Sequence, residues 1–247
     1  MSLNWKEGRE ICQEGKKVVY LTDKPTKDGV DTIKLTGDKT FTPSIYKATE
    51  RTVGMVSAAS GSGKSFYVKM YCEAYHKMWP KRPIYVFSSL ASCQTLDKLS
   101  YLKRVKISTP EFMGTEFNAD DFKESLVVFD DIDVMSNKKI RDKVITVLNT
   151  LLQTGRHAEA SVLYTTHLAT NGHMTKLILA ECHFLTFFSK NMPQKSLKYL
   201  LENYLGYDPK EIEYIKKLEG RWCTAVKSYP ACCFSEKEVL VKGSFPA

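Results

Sequence analysis

The chain has 247 residues, 43% of them apolar and 26% charged, the balance of an ordinary folded globular protein. That length supplies a full hydrophobic core without disulfides or metals. No run of eighteen uncharged apolar residues appears, so no membrane-spanning helix is expected. Lys and Arg outnumber Asp and Glu by 36 to 28, a net charge of +8 that points toward a polyanionic partner. The opening Met1-Ser2-Leu3-Asn4-Trp5 holds no apolar signal core, and the expectation is a chain that is not secreted. Its 7 cysteines are then reduced thiols in a cytosol-like compartment. Cys223, Cys232 and Cys233 lack the paired spacing of a structural zinc site, and Cys182-His183 opens an apolar run that reads as core.

Residues 1–50 read as a polar opening segment with short strands at 17–21 and 30–35 and a turn at Asp28-Gly29 between them. From there the texture changes to alternating buried strands and helices over 51–190. Strands are expected at 52–57, 83–88, 102–107, 125–130, 161–166 and 184–188. Helices are expected after residue 63, after Asn137 and near 173–180. Asn137 is the cap of a long helix whose apolar stripe runs through Ile140, Val144, Val147, Leu148 and Leu151. This alternation predicts an α/β domain with a mostly parallel sheet and helices on both faces. Residues 191–247 read as a small α+β appendage of the same domain. Its helices are expected at 194–204 and 209–218, separated by Gly206, and its strands at 222–227 and 239–242.

Ala58-Ala59-Ser60-Gly61-Ser62-Gly63-Lys64-Ser65 matches the G-x-x-x-x-G-K-[ST] loop at every fixed position but the first, where Ala58 replaces glycine. Gly61 and Gly63 can adopt backbone angles closed to other residues, turning successive N–H groups inward around phosphate oxygens. The next helix adds the positive end of its dipole. Ala59, Ser60, Gly61, Ser62, Gly63, Lys64, Ser65 and Phe66 are therefore the candidate ATP-binding residues. Lys64 reaches the β and γ phosphates, and the Ser65 hydroxyl ligates Mg²⁺. A surface turn rich in small residues would need neither the buried strand before it nor the helix after it.

The apolar run ending Val128-Phe129-Asp130-Asp131 carries two carboxylates. Alone, such a pair is more often a loop with helix-capping acids. Downstream of a phosphate loop, Asp130 is the candidate Mg²⁺ ligand and Asp131 the base that polarises the attacking water, with Asp133 a spare carboxylate free to cap the next turn. The extra strand at 83–88 marks the subclass of P-loop ATPases with a catalytic acid beside the metal-binding one.

Ala59-Ser60-Gly61-Ser62-Gly63-Lys64-Ser65, Val127-Val128-Phe129-Asp130-Asp131-Ile132-Asp133 and Thr154-Gly155-Arg156-His157, the last preceding a strand that ends Thr165-Thr166-His167, occur in this order. Together they resemble the genome-packaging ATPases of large DNA viruses and virophages, within the FtsK/HerA superfamily. The resemblance covers about residues 50–190. It implies a RecA-like, additional-strand P-loop fold and a homo-oligomeric ring whose ATP sites lie between subunits. Arg156 is then a candidate arginine finger and His157 a loop-holding residue. His167 stands at the superfamily's sensor position, where Gln is usual, with Thr166 as the fallback. The polar loop at 169–173 is a candidate pore loop.

The implied function is an ATP-hydrolysing translocase that packages double-stranded DNA, gripped through its phosphate backbone, with a capsid or portal protein as a further partner. It would work in the host cytoplasm or viral factory, or on the virion, and not at a membrane. Lys103, Arg104 and Lys106, and Lys138, Lys139, Arg141 and Lys143, are two basic clusters that either contact DNA or form solvated faces. Two other readings compete: a P-loop nucleotide or nucleoside kinase, for which no arginine-rich lid is visible, and a nucleotide- and DNA-binding module without hydrolysis.

Overall fold

The alternating opening residues fold as short antiparallel strands: Ser2–Asn4 (β1), Arg9–Glu14 (β2), Lys17–Thr22 (β3), Thr32–Lys34 (β4) and Thr42–Pro43 (β5). The computed structural model describes residues 1–45 and 51–245, so the expected boundary at residue 50 lies outside the described residues. These residues divide into two units. One takes residues 1–45, Gly61–Gly63 and the chain from His183 onward; the other takes 51–60 and Lys64–Cys182.

The second unit is built on largely apolar strands buried along almost their whole length, covered on both faces. Val53–Ser57 (β6), Leu126–Asp130 (β9) and Ser161–Thr166 (β10) are buried throughout, and Ile84–Ser88 (β7) nearly so. With the edge strand Leu102–Arg104 (β8) they form a parallel sheet in the order β6-β10-β9-β7-β8. β8 is half the length expected, because from Val105 the chain turns away after one last bond to Val86 O. Between the strands run Lys64–Met78 (α1), Pro110–Gly114 (α2), Lys138–Thr154 (α3) and His173–Glu181 (α4). The side chain of His173, part of the expected pore loop, lies outside the described residues.

Asn137 caps α3 by accepting from the Ile140 N–H at 3.3 Å. Val144, Val147, Leu148, Leu151 and Leu152 are its buried face, and each contributes roughly 1.5–3 kcal/mol of burial. Ile140, expected in that stripe, is half-buried because it lies at the helix entrance.

In the first unit β1-β3-β2-β5 form an antiparallel sheet. Phe184–Phe187 (β11) begins the returning chain, and after it come helices Gln194–Asn203 (α5) and Pro209–Lys217 (α6) and strands Cys223–Val226 (β12), Cys232–Ser235 (β13) and Glu238–Val241 (β14). These strands and β4 pair antiparallel in the order β4-β14-β13-β12-β11. β4 therefore pairs with a strand some two hundred residues away, and the turn before it, closed by Gly29 N–H to Thr26 O at 3.0 Å, joins no hairpin. The strands that sequence patterning misses, β1, β2, β5 and β13, are two to six residues long and rich in polar residues, proline or cysteine. Cys182, Cys223, Cys232 and Cys233 are all buried free thiols. No described helix is long and apolar enough to cross a membrane.

At the end of α3 the glycine of Thr154-Gly155-Arg156 has a packing reason. The Arg51 guanidinium donates to Leu151 O and Leu152 O, covering carbonyls the helix end leaves open. A β-carbon on Gly155 would lie 2.5 Å from Leu151 O and 2.6 Å from the Arg51 guanidinium. Gly155→Ala is expected to cost about 1–3 kcal/mol of stability, read as a lower denaturation midpoint at unchanged slope.

Candidate active site

Parallel register brings the site together. Thr166 pairs with Ser57, Tyr164 with Phe129, and Ser88 with Asp130, so β6, β7, β9 and β10 all end at one edge. Ligands of open α/β sheets bind at this carboxyl edge.

The phosphate loop leaves β6 here. Ala58 is 2% exposed, and its N–H donates to Thr166 O at 3.1 Å. It is not among the residues of positive φ, so this first position has no need of glycine. Gly61 and Gly63 have φ of 75° and 106°, and the first faces open space, so glycine is required there for its backbone angle alone. Ala59, Ser60, Gly61 and Phe66 are exposed, Gly63 and Ser65 half-buried, and Ser62 buried. Asn191, passed over in the sequence, donates from Nδ2 to Ser62 Oγ at 3.1 Å.

Lys64 opens α1, a helix with no acid in its first turn to offset the positive end of its dipole, while His76 and Lys77 suit the negative end. Its side chain is only 6% exposed; Nζ donates to Ala58 O at 2.9 Å and lies 3.3 Å from Asp131 Oδ1. Asp130 is 3% exposed, with Ser88 Oγ donating to Oδ2 at 3.2 Å and Thr165 Oγ to Oδ1 at 3.1 Å. Burial, then the neighbouring Asp131 charge, raise its pKa above the ordinary carboxylate value. The Thr165 and Ser88 hydrogen bonds and the Lys64 charge offset this only in part. A buried carboxylate with that excess affinity for positive charge suits a divalent cation. Magnesium takes oxygen ligands and is commonly held by one or two carboxylates with substrate phosphates, a donor set that Asp130 and the Ser65 hydroxyl supply.

Asp131 has φ 48° and ψ 42°, a left-handed conformation that Asp tolerates better than most residues. It turns the chain out of β9 into a short 3₁₀ turn, Ile132–Val134. Its N–H donates to Thr165 Oγ at 2.9 Å, and the Thr165 hydroxyl hydrogen is shared between Asp130 and Asp131. Asp133 does not cap that turn, the role its sequence position allowed. Its Oδ2 accepts from Thr166 Oγ at 2.8 Å and from the His167 N–H at 3.2 Å. The His167 ring stands between two carboxylates, Nε2 at 3.7 Å from Asp131 and Nδ1 at 3.8 Å from Asp133. The three groups have donor atoms within 4.8 Å of one another, with Lys64 already beside Asp131.

Lys64, Asp130, Asp131 and His167 thus converge. Arg156 does not: it is exposed in the turn before β10, at the other end of that strand, where Ala160 N–H closes onto Gly155 O at 3.0 Å. A six-residue strand spans about 17 Å. His157 is exposed in the same turn. Besides Asn191, sequence reasoning misses or misassigns Ser88, Thr165 and Asp133. Their signal is weak: hydroxyls and an acid closing otherwise apolar runs.

Asp130 also sets a stability expectation. A raised carboxyl pKa means the unfolded chain ionises first as pH rises, so this group's contribution is full at acid pH and lost through its raised value. Asp130→Asn should melt at or above the wild-type temperature at neutral pH, with the gap closing as pH falls, and thermal denaturation across pH checks it.

No family model matches the chain. Among solved structures it resembles the pCW3 conjugation coupling protein TcpA with ATPγS, at TM-score 0.52 and 11% identity over 92% of this chain and 76% of that one. The DNA-packaging ATPase B204 from Sulfolobus turreted icosahedral virus aligns at TM-score 0.49 and 14% identity, over 78% of this chain and 98% of that one. The fold is that of an α/β P-loop NTPase. A curated relative is 35% identical over 188 residues, 75% of each chain. By that likeness the protein belongs to the family of the uncharacterized protein V3 of Sputnik virophage.

Proposed function

We propose that this protein is an ATP-hydrolysing motor that moves double-stranded DNA and loads a viral genome into its capsid. The observation that carries the reading is the meeting of Lys64 and Asp131, 3.3 Å apart, beside a buried Asp130 at the carboxyl edge of a parallel sheet. TcpA, whose structure was solved with ATPγS, supports a nucleotide as the ligand of this fold.

In this reading the loop amides and Lys64 hold the triphosphate tail, and Lys64 exchanges its contacts with Ala58 O and Asp131 for phosphate oxygens. Ser65 and Asp130 would hold Mg²⁺, whose charge would offset the one that builds on the transferred phosphoryl group. Asp131, released from Lys64, accepts hydrogen bonding from the attacking water and takes its proton. His167, its backbone held by Asp133 and its ring 3.7 Å from Asp131, would be the group that senses the γ-phosphate.

Arg156 sits at the opposite end of β10, too far away to serve the phosphate loop of its own chain. As an arginine finger it would act on a neighbour's site, which calls for a head-to-tail ring of identical subunits. A portal or capsid protein completes the machine, in the host cytoplasm or viral factory.

Two experiments test these roles. Asp131→Asn should keep nucleotide affinity while the turnover rate falls about 10²- to 10⁴-fold, and Lys64→Ala should lose turnover together with affinity. Wild-type turnover by Asp131→Asn would remove it as the base. For the ring, specific activity should rise with protein concentration. Arg156→Ala and Lys64→Ala subunits, each inactive alone, should regain measurable turnover when mixed; a mixture inactive at every ratio would rule out a finger acting between subunits.

A further inference from the structure

One basic cluster, at Arg104 and Lys106, and the segment that leads directly into the other, Val134–Asn137, line the same groove. A groove of about 700 Å³ opens at the carboxyl edge of the parallel sheet, beyond the ends of β7 and β8. Ser88–Ala91 and Arg104–Thr109 form one wall; the segment Val134–Asn137 and the first turn of α3 form the other. No Asp or Glu lines it. Arg104 ties one wall together, donating to Leu90 O at 3.0 Å and to Asp97 Oδ1 at 2.8 Å. Lys106 at the rim, and Lys138 and Lys139 at the start of α3, are exposed and have no ion-pair partner among the described residues. The 17-residue α3 has no acid in its first turn, so its dipole adds to the same positive potential.

We infer that this groove seats the phosphate backbone of duplex DNA, with Lys106, Lys138 and Lys139 neutralising phosphates. The inference rests on the translocase reading and names the surface through which it would grip its track. Three uncompensated ammonium groups around a wall without acids select a polyanion. The half-exposed Leu90 and Val134, one on each wall, suit the sugar faces between phosphates.

Position strengthens the case. One wall is the chain that leaves Asp131, three to six residues on, and the other carries Ser88, whose hydroxyl donates to Asp130 and accepts from the Leu90 N–H at 3.2 Å. Duplex held here lies against both segments that set the acidic pair.

The test is binding of a fluorescent duplex of random sequence to the full chain across a salt series. Replacing Lys106, Lys138 and Lys139 together with Ala should lower the slope of log affinity against log salt by about 3, with a loss of about tenfold or more at low salt. The Lys→Glu triple should bind more weakly still, and the Lys→Arg triple should bind as wild type does. Lys195, Lys198 and Lys210, exposed in the other unit, changed together to Glu, are the charge-matched control and should keep most of the affinity. Binding of a fluorescent ATP analogue reports that each variant is folded.

Equal duplex binding by the Lys→Glu triple and wild type would overturn the groove, leave the motor reading standing and point to an acidic protein as its occupant. Equal loss in the control would also overturn it, as a general charge effect. A wild-type protein that hydrolyses ATP and binds no duplex would instead defeat the DNA-motor reading itself.

Discussion

The structure turns on a carboxylate held out of water at a strand end. Asp130 is almost fully buried, and two hydroxyls are its hydrogen-bond donors among the described residues, an arrangement that is costly until a cation arrives. Register keeps it there. Because Ser88 lies opposite Asp130, and Tyr164 opposite Phe129, the hydroxyls of Ser88 and Thr165 fall where the carboxylate needs them. A slip of one residue along β9 would send that side chain to the other face of the sheet. The dense apolar packing of β6, β9 and β10 resists such a slip, so core and site are one constraint.

A second layer of polar contacts shapes the chain just beyond the strand. Asp131 takes a left-handed conformation that reverses the chain, and Thr165 meets both its N–H and its carboxylate. Asp133 then ties the end of β10 through Thr166 and the His167 backbone. Asp131, the candidate base, and His167, the candidate sensor, thereby follow neighbouring parallel strands and are laced to each other, which gives a change at one a short physical route to the other. Local strain of this kind is characteristic of functional positions, where surrounding contacts over-determine the backbone.

The two edges of the parallel sheet divide the labour. The carboxyl edge gathers the phosphate loop, the acidic pair and the basic groove. The amino edge carries Gly155 and Arg156, with Arg51 held over the end of α3. Glycine here serves a close approach of guanidinium and carbonyl, so the Thr-Gly-Arg-His segment has a packing reason independent of any catalytic one.

The local motifs were legible in the sequence because their chemistry is local. Gly61, Gly63, Lys64 and Ser65 announce a phosphate loop from spacing alone, the apolar run into Asp130 and Asp131 announces a buried strand with an acidic end, and Asn137 announces a capped helix. The parallel α/β core came from the same alternation of runs. What the sequence could not decide were matters of pairing between distant segments. That β4 lies against β14, that Cys232–Ser235 is a strand, that Asp133 latches Thr166 instead of capping a turn, and that Lys106 and Asn137 share one groove all depend on register and crossover geometry. Periodicity reports which face of an element is buried, and it is silent on which neighbour buries it. Only the assembled sheet assigned those neighbours.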